Sequence, residues 1–139
     1  LFIFIFNSDY KLLLQKRAFS KYHSGSLWTN TCCSHPRDGE ETIVAANRRL
    51  LEEMGIKTSL RKVFDFKYKA ELDNNMIENE FDHVFYGVYD DDPVLNFNEA
   101  EDFKWIDMNT LKKDIHENGD QYTVWFKIAF DYFYKYLNK

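Results

Sequence analysis

The sequence is short of three things, and each shortage narrows what the protein can be. No apolar run among its 139 residues approaches the roughly 20 that a membrane helix needs, so no membrane partner is expected. Positive charge is not in excess. Eighteen Lys and Arg against 23 Asp and Glu leave a formal charge of −5, which argues against a broad basic surface for nucleic acid and leaves room for a local basic pocket around a small anion. Cysteine is scarce, and the two copies are neighbours. Adjacent Cα atoms lie about 3.8 Å apart, closer than an ordinary disulfide spans, so Cys32 and Cys33 read as free thiols, which fits a reducing cytoplasm. Internal repeats, low-complexity tracts and linkers are also missing.

What is present is enough to build a core. Apolar residues make up 45% of the chain and aromatic residues 18%, which excludes disorder, and the length suits one domain over residues 1–139. The opening run Leu1-Phe2-Ile3-Phe4-Ile5-Phe6 reads as a strand buried on both faces. It is too short for a signal peptide and lacks the basic flank and cleavage site of one. With such a strand at its first residue, the domain is expected to lack an N-terminal segment; a monomer or weak dimer is expected.

The remaining elements follow from local pattern. Asn7-Ser8-Asp9 makes a turn into a strand over Lys11 to Arg17, and residues 18 to 26 form a loop before an extended Leu27-Trp28-Thr29. Asp38 and Glu41 have capping-box spacing ahead of a helix from about Gly39 to Met54, with Ile43, Ala46, Leu50 and Met54 on one face and Gly55 placed to end it. Residues 62 to 71 alternate, Asp73-Asn74-Asn75 turns the chain, and Met76 to Tyr89 returns as the second strand of a long hairpin. Asp90-Asp91-Asp92-Pro93 breaks it. A short strand over Phe103 to Ile106, a helix over Asn109 to Ile115 and an aromatic-rich helix over Asp120 to Leu137 complete the chain. The fold class expected is α+β, a mixed sheet sandwiched by helices.

Chemistry gathers at a few positions. Cys33-Ser34-His35-Pro36 follows Trp28-Thr29-Asn30, and Glu78-Asn79-Glu80 comes some forty residues later. A thiol, an imidazole and two carboxylates at i and i+2 of one strand are the groups that hold a divalent metal and move protons in an apolar pocket. Taken alone, each residue has a plainer reading. A lone Cys is usually a small core residue, and Glu78 or Glu80 alone is an ordinary strand charge. Arg48, Arg49, Glu52 and Glu53 can form a solvated helix face of i,i+4 pairs. Trp125 lies in a core-like stripe with Tyr122, Ala129 and Phe133, and Tyr68 in an alternating strand of packing aromatics. His23, His83 and His116 have no such neighbours and read as surface or structural. Cys32 projects to the side opposite Cys33 and reads as structural.

Two resemblances change these weights. Arg48-Arg49-Leu50-Leu51-Glu52-Glu53-Met54-Gly55-Ile56 resembles the end of the Nudix box, G-x5-E-x7-R-E-U-x-E-E-x-G-U, with Ser34 at the first Gly and Glu40 at the first Glu. Arg49 stands where the hydrolase pattern has Glu. A cation there reverses the local charge and removes one carboxylate from the metal cluster used for water attack on phosphorus. Over nearly the whole chain, Phe4-Ile5-Phe6-Asn7, Leu13 to Ala18, Lys21, Trp28-Thr29-Asn30, Cys33-Ser34-His35-Pro36 and Glu78-Asn79-Glu80 resemble, in order and spacing, the type I isopentenyl-diphosphate isomerases. That resemblance implies a Nudix-like fold and interconversion of isopentenyl and dimethylallyl diphosphate. It implies Cys33 and Glu80 as the proton-transfer pair, Tyr68 near that carboxylate and Trp125 facing the carbocation. Arg17, Lys21 and Arg49 would grip the diphosphate. It further implies a Mn2+ or Mg2+ (or Zn2+) site on His35, Glu78 and Glu80, which the family completes with two histidines upstream of the opening strand, and a second, Mg2+ site at Glu53. The alternatives left open are a Nudix pyrophosphohydrolase, argued by Glu40, Glu52 and Glu53, and a catalytically silent Nudix-fold binding module.

Overall fold

The computed structural model describes residues 1–21, 23–71 and 77–139, and of 70, 71 and 78–80 the backbone alone. Seven strands and three helices are laid along them: β1 (Phe2–Phe6), β2 (Lys11–Arg17), β3 (Trp28–Thr29), β4 (Cys32–Cys33), α1 (Thr42–Met54), β5 (Arg61–Glu71), β6 (Ile77–Val88), β7 (Ala100–Asp107), α2 (Met108–Glu117) and α3 (Val124–Leu137). The sheet order is β3-β2-β1-β6-β5, with β4 added to β1 and β7 to β2. Only β1 and β6 run parallel; the other pairs are antiparallel, which makes the sheet mixed.

The first hairpin is set by Asn7. Its side-chain oxygen accepts from the backbone N–H groups of Asp9 and Lys11, both at 3.0 Å, and so folds the chain back into β2. Alternation along β1 then feeds two cores. Phe2, Phe4 and Phe6 pack with α3, where Phe4 stacks on Phe133 at 4.3 Å, while Leu1, Ile3 and Ile5 pack with Ala45, Ala46, Leu50 and Met54 of α1. Helices therefore cover both faces, as the sequence pattern implied. No helix among the described residues is long and apolar enough to cross a membrane.

Several boundaries differ from the sequence reading. Gly39 takes a positive φ of 77°, and α1 starts only at Thr42, with Glu41 at its N-cap and no side-chain cap bond. The Asp38/Glu41 capping box is therefore absent; Glu40, one residue earlier, instead bonds the backbone of Arg37 and the guanidinium of Arg48. β7 begins at Ala100 rather than Phe103 because pairing with β2, from Lys11↔Asp107 to Arg17↔Ala100 with a register shift between Lys16 and Arg17, carries the strand on through its polar residues. Asp120 lies in a single 3-10 turn, Gly119–Gln121, and α3 starts at Val124, where the Thr123 hydroxyl accepts from Phe126 N–H at 3.2 Å. The turn expected at Asp73-Asn74-Asn75 lies outside the described residues.

Gly55 ends α1 in the left-handed region, φ 64°, and its N–H bonds Leu51 O. A Cβ there would sit 2.8 Å from the Val94 carbonyl oxygen and 2.9 Å from Val94 Cβ. Strain and clash add, so Gly55→Ala is expected to destabilise the fold by about 2 kcal/mol. Urea unfolding of the two proteins measures this.

Candidate active site

The end of the sheet where β1, β4 and β6 meet is built by register. Phe2 of β1 pairs with Cys33 on one side and with Val84 of β6 on the other. Alternation sends Cys32 into the α1 core, fully buried, and leaves Cys33 against the α3 core at the rim of a cavity. That cavity, of about 240 Å³, is lined by residues of two kinds, an aromatic group, Phe2, Tyr68, Trp125 and His23, which forms its aromatic wall, and a charged group, Arg17, Lys21, Arg49, Glu53 and Glu99, which forms its charged wall; the two meet where Arg17 lies over Trp125. Cys33, Ser34 and His35 lie among the same lining residues.

On the charged wall the contacts form a closed set. Arg49 donates from Nε to Ser34 Oγ at 3.0 Å, from Nη1 to Glu52 at 2.8 Å, and from Nη2 to Glu53 and to Glu99. Glu99 also takes Lys21, so one carboxylate joins a cation of the 18–26 loop to a cation of α1. Burial alone would lower the Arg49 pKa; the carboxylates around it, Glu53 foremost, outweigh that and push it up. Glu53 shows the opposite balance. Its burial pushes the carboxyl up, and Arg49 and the Gln15 amide, 3.1 Å away, only partly offset this. Arg48 and Glu52 stay on the outer face: Arg48 takes Glu40 at 2.9 Å through both Nε and Nη2 and Glu52 at 3.0 Å.

On the aromatic wall, Tyr68 is buried and stacks with Phe2 and Phe66. Trp125 is buried too, with the Arg17 guanidinium over its ring at 5.0 Å and His23 edge-on at 5.6 Å. His23 thus lines the cavity as well, brought edge-on against Trp125 of α3 by a contact no local pattern announces. His83, beside Asp65, and the exposed His116 do not line this cavity. In β6, Glu80 stands directly opposite Tyr68 and Glu78 opposite Ala70 in the strand register, while the side chains of both Glu residues lie outside the described residues.

The structure thus brings Arg17, Lys21, Cys33, His35, Arg49, Glu53, Tyr68 and Trp125 around one cavity. It adds Glu99 and Asp82, which sequence reasoning missed, and Ser34 and Gln15, which stood in its motifs without a role. Glu99 reaches Lys21 across 78 residues and Arg49 across 50, so nothing local could reveal it. Glu53, a buried carboxylate held by Arg49 and Gln15, is of the oxygen-donor type suited to a hard divalent cation. Among the described residues no three His, Cys, Asp or Glu side chains converge as a complete metal site.

The match to known proteins is extensive. The NUDIX domain model matches residues 1–126. The chain is 57% identical over 129 residues to a protein of Aromatoleum aromaticum named isopentenyl-diphosphate Delta-isomerase 1, covering 93% of this chain and 73% of that one. It is 54% identical over 125 residues to isopentenyl-diphosphate Delta-isomerase 2 of Photorhabdus laumondii, covering 90% and 71%. Among solved structures, the MutT protein of Methanosarcina mazei superposes with a TM-score of 0.77 at 18% identity, over 99% of this chain and 93% of that one. The dihydroneopterin triphosphate pyrophosphohydrolase of E. coli gives 0.65 at 18% identity, over 99% and 94%. These two speak for the fold alone.

Burial pushes the Cys33 thiol well above its ordinary range, with Asp82 and Glu53 adding to the effect, and it does the same to Cys32. Both thiols are therefore expected to stay protonated as pH rises through the usual thiol range of about 8–9. Thiolate absorbance in the ultraviolet should not grow between about pH 7 and 10; a step near the ordinary thiol pKa would contradict the burial seen here.

Proposed function

This chain belongs to the isopentenyl-diphosphate Delta-isomerase family within the NUDIX-domain proteins, and we propose that it interconverts isopentenyl and dimethylallyl diphosphate in isoprenoid precursor synthesis. The observation that carries the reading is one cavity lined both by aromatic rings and by three cations, Arg17, Lys21 and Arg49, with a half-buried thiol among the same lining residues. Such a cavity matches a substrate with a doubly phosphorylated head and a five-carbon apolar tail. Its volume is in keeping with one small molecule.

The chemistry is a proton exchange. An alkene is a poor base, so its protonation needs an acid held in a dry site, and the tertiary cation that results needs nearby electron density. A second group then takes a proton from the neighbouring carbon, the double bond moves one position, and no net proton is consumed. We assign Cys33 and Glu80 as this pair. Burial keeps Cys33 in its thiol form, so its proton is on hand, and the thiolate left once that proton has been given up is a strong base that takes a proton back from carbon in the reverse direction. Tyr68, opposite Glu80 in the register, is assigned as the phenol that serves that carboxylate. Trp125 lines the same cavity and is assigned as the ring that stabilises a substrate cation; the Arg17 guanidinium over it at 5.0 Å is a cation already seated against that indole.

Arg17, Lys21 and Arg49 bind the diphosphate, since guanidinium and ammonium groups make the strongest hydrogen bonds to phosphate oxygens. Glu53 would hold Mg2+ beside them, and His35 with Glu78 and Glu80 would hold Mn2+, Mg2+ or Zn2+. Such cations neutralise phosphate charge and fix carboxylate geometry. The pyrophosphohydrolase reading loses support because Arg49 spans Glu52 and Glu53 with its guanidinium. The same proposal places residues 1–139 in one domain and the protein in the cytoplasm, a compartment suited to two free thiols.

Incubation with isopentenyl diphosphate, followed by proton NMR, should show the vinylidene signals replaced by those of the dimethylallyl product. A nucleotide panel should release no phosphate; brisk hydrolysis with no isomerisation would overturn the proposal. Arg49→Glu is expected to raise KM by about 10–100-fold, from the loss of one or more charge-assisted bonds worth roughly 1.5–3 kcal/mol each, without creating hydrolase activity.

A further inference from the structure

Two buried side chains touch the Cys33 sulfur, Thr29 through Oγ1 at 3.9 Å and Asn30 through Oδ1 at 2.8 Å, and neither has a part in the scheme above. Asn30 is 0% exposed. Its Nδ2 donates to the carbonyl oxygens of Ile3 and Cys32, both at 2.9 Å. Two acceptors on that side fix the orientation of the amide, because turning it over would set oxygen against oxygen. Oδ1 is thereby aimed at Cys33, whose Sγ–H donates to it at 2.8 Å. Thr29 Oγ1 donates to the same oxygen at 3.1 Å and accepts from Thr123 Oγ1 at 3.2 Å. Thr123 in turn caps α3, two residues before Trp125.

These contacts converge on one oxygen: Thr123 donates to Thr29, Thr29 and Cys33 both donate to Asn30 Oδ1, and the Asn30 amide nitrogen is anchored to the backbones of β1 and β4. A cysteine on a strand can place its sulfur in three staggered rotamers. We propose that Asn30 is the positioning residue of the Cys33 thiol, holding its sulfur in the rotamer that faces the cavity. The S–H rests on Asn30 Oδ1 and turns about the Cβ–Sγ bond only when a substrate takes its proton, so the hydrogen bond sets where the sulfur waits. Asn30 itself gains and loses no proton. Thr29 and Thr123 tie the same oxygen to the start of α3, so the thiol and the Trp125 indole are set relative to each other by one buried network.

The proposal deepens the isomerase reading, and its test separates the two. In the native protein, three-bond Hα–Hβ couplings of Cys33 should report a single χ1 rotamer, and the Asn30 side-chain N–H protons should exchange slowly. Averaged couplings there would overturn the proposal whether or not the protein isomerises anything. In Asn30→Ala the couplings should average. The kcat for isopentenyl diphosphate should then fall on the order of 100-fold per folded molecule, as expected for a misplaced reacting group. KM and the affinity for inorganic diphosphate should stay within about twofold, since Arg17, Lys21 and Arg49 are untouched. A single rotamer with undiminished kcat in Asn30→Ala, or a loss confined to KM, would equally overturn it. Should Asn30→Ala fail to fold, the native couplings and amide exchange decide. Should the native protein show no isomerisation, the function proposed above falls, and the couplings still decide the role of Asn30.

Discussion

Both layers of this protein meet on β1, and its pairing is the constraint the rest depends on. The strand is paired to β6 along one edge over Phe2 to Phe6 and shared by β2 and β4 along the other. Its alternate side chains feed two separate cores, one closed by α1 and one by α3. Burying five consecutive apolar residues on both faces stabilises the sheet by several kcal/mol at the usual roughly 25 cal/mol per Å². It also fixes position. A slip of one residue would turn every aromatic of β1 toward α1 and carry Cys33 away from the cavity.

From that register the site follows in steps. Phe2↔Cys33 sets the thiol at the end of β1, and Phe2↔Val84 carries β6 past the same point. The β5–β6 ladder then places Glu80 opposite Tyr68. α1, anchored by Leu50 and Met54 and stopped by Gly55, presents Arg49 and Glu53 to the same end of the sheet. Where a phosphate-cleaving relative would gather carboxylates for metal, Arg49 lies among Glu52, Glu53 and Glu99. One guanidinium thus neutralises part of the carboxylate charge gathered at this end of the sheet.

Much of this could be read from the sequence, for physical reasons. β1 and the long hairpin declare themselves because their period is strict and their side chains β-branched or aromatic, and α1 because its apolar face repeats at helical spacing and ends in Gly. The thiol, His35, Arg17, Lys21, Arg49, Glu53, Tyr68 and Trp125 were identifiable because a collinear set of short motifs resembles one family. What escaped was set by long-range contact. The start of α1 was misplaced because Gly39 and Glu40 close a turn with Arg37 and Arg48 instead of a capping box. Glu99 sits in an unremarkable acidic stretch and becomes part of the site only when β7 lies along β2. His23 joins the aromatic wall only when its loop packs against α3. The role of Asn30 depends on two carbonyls from different strands, which no linear pattern encodes.

The central claim is that the thiol at the junction of the two walls exchanges protons with a substrate held by its diphosphate. The most direct measurement is turnover of isopentenyl diphosphate by Cys33→Ser, alongside calorimetric binding of the same substrate. A hydroxyl at this position is a much poorer proton shuttle than a thiol near neutral pH. The account predicts near-complete loss of isomerisation with substrate binding and fold retained; near-normal turnover in Cys33→Ser would contradict it.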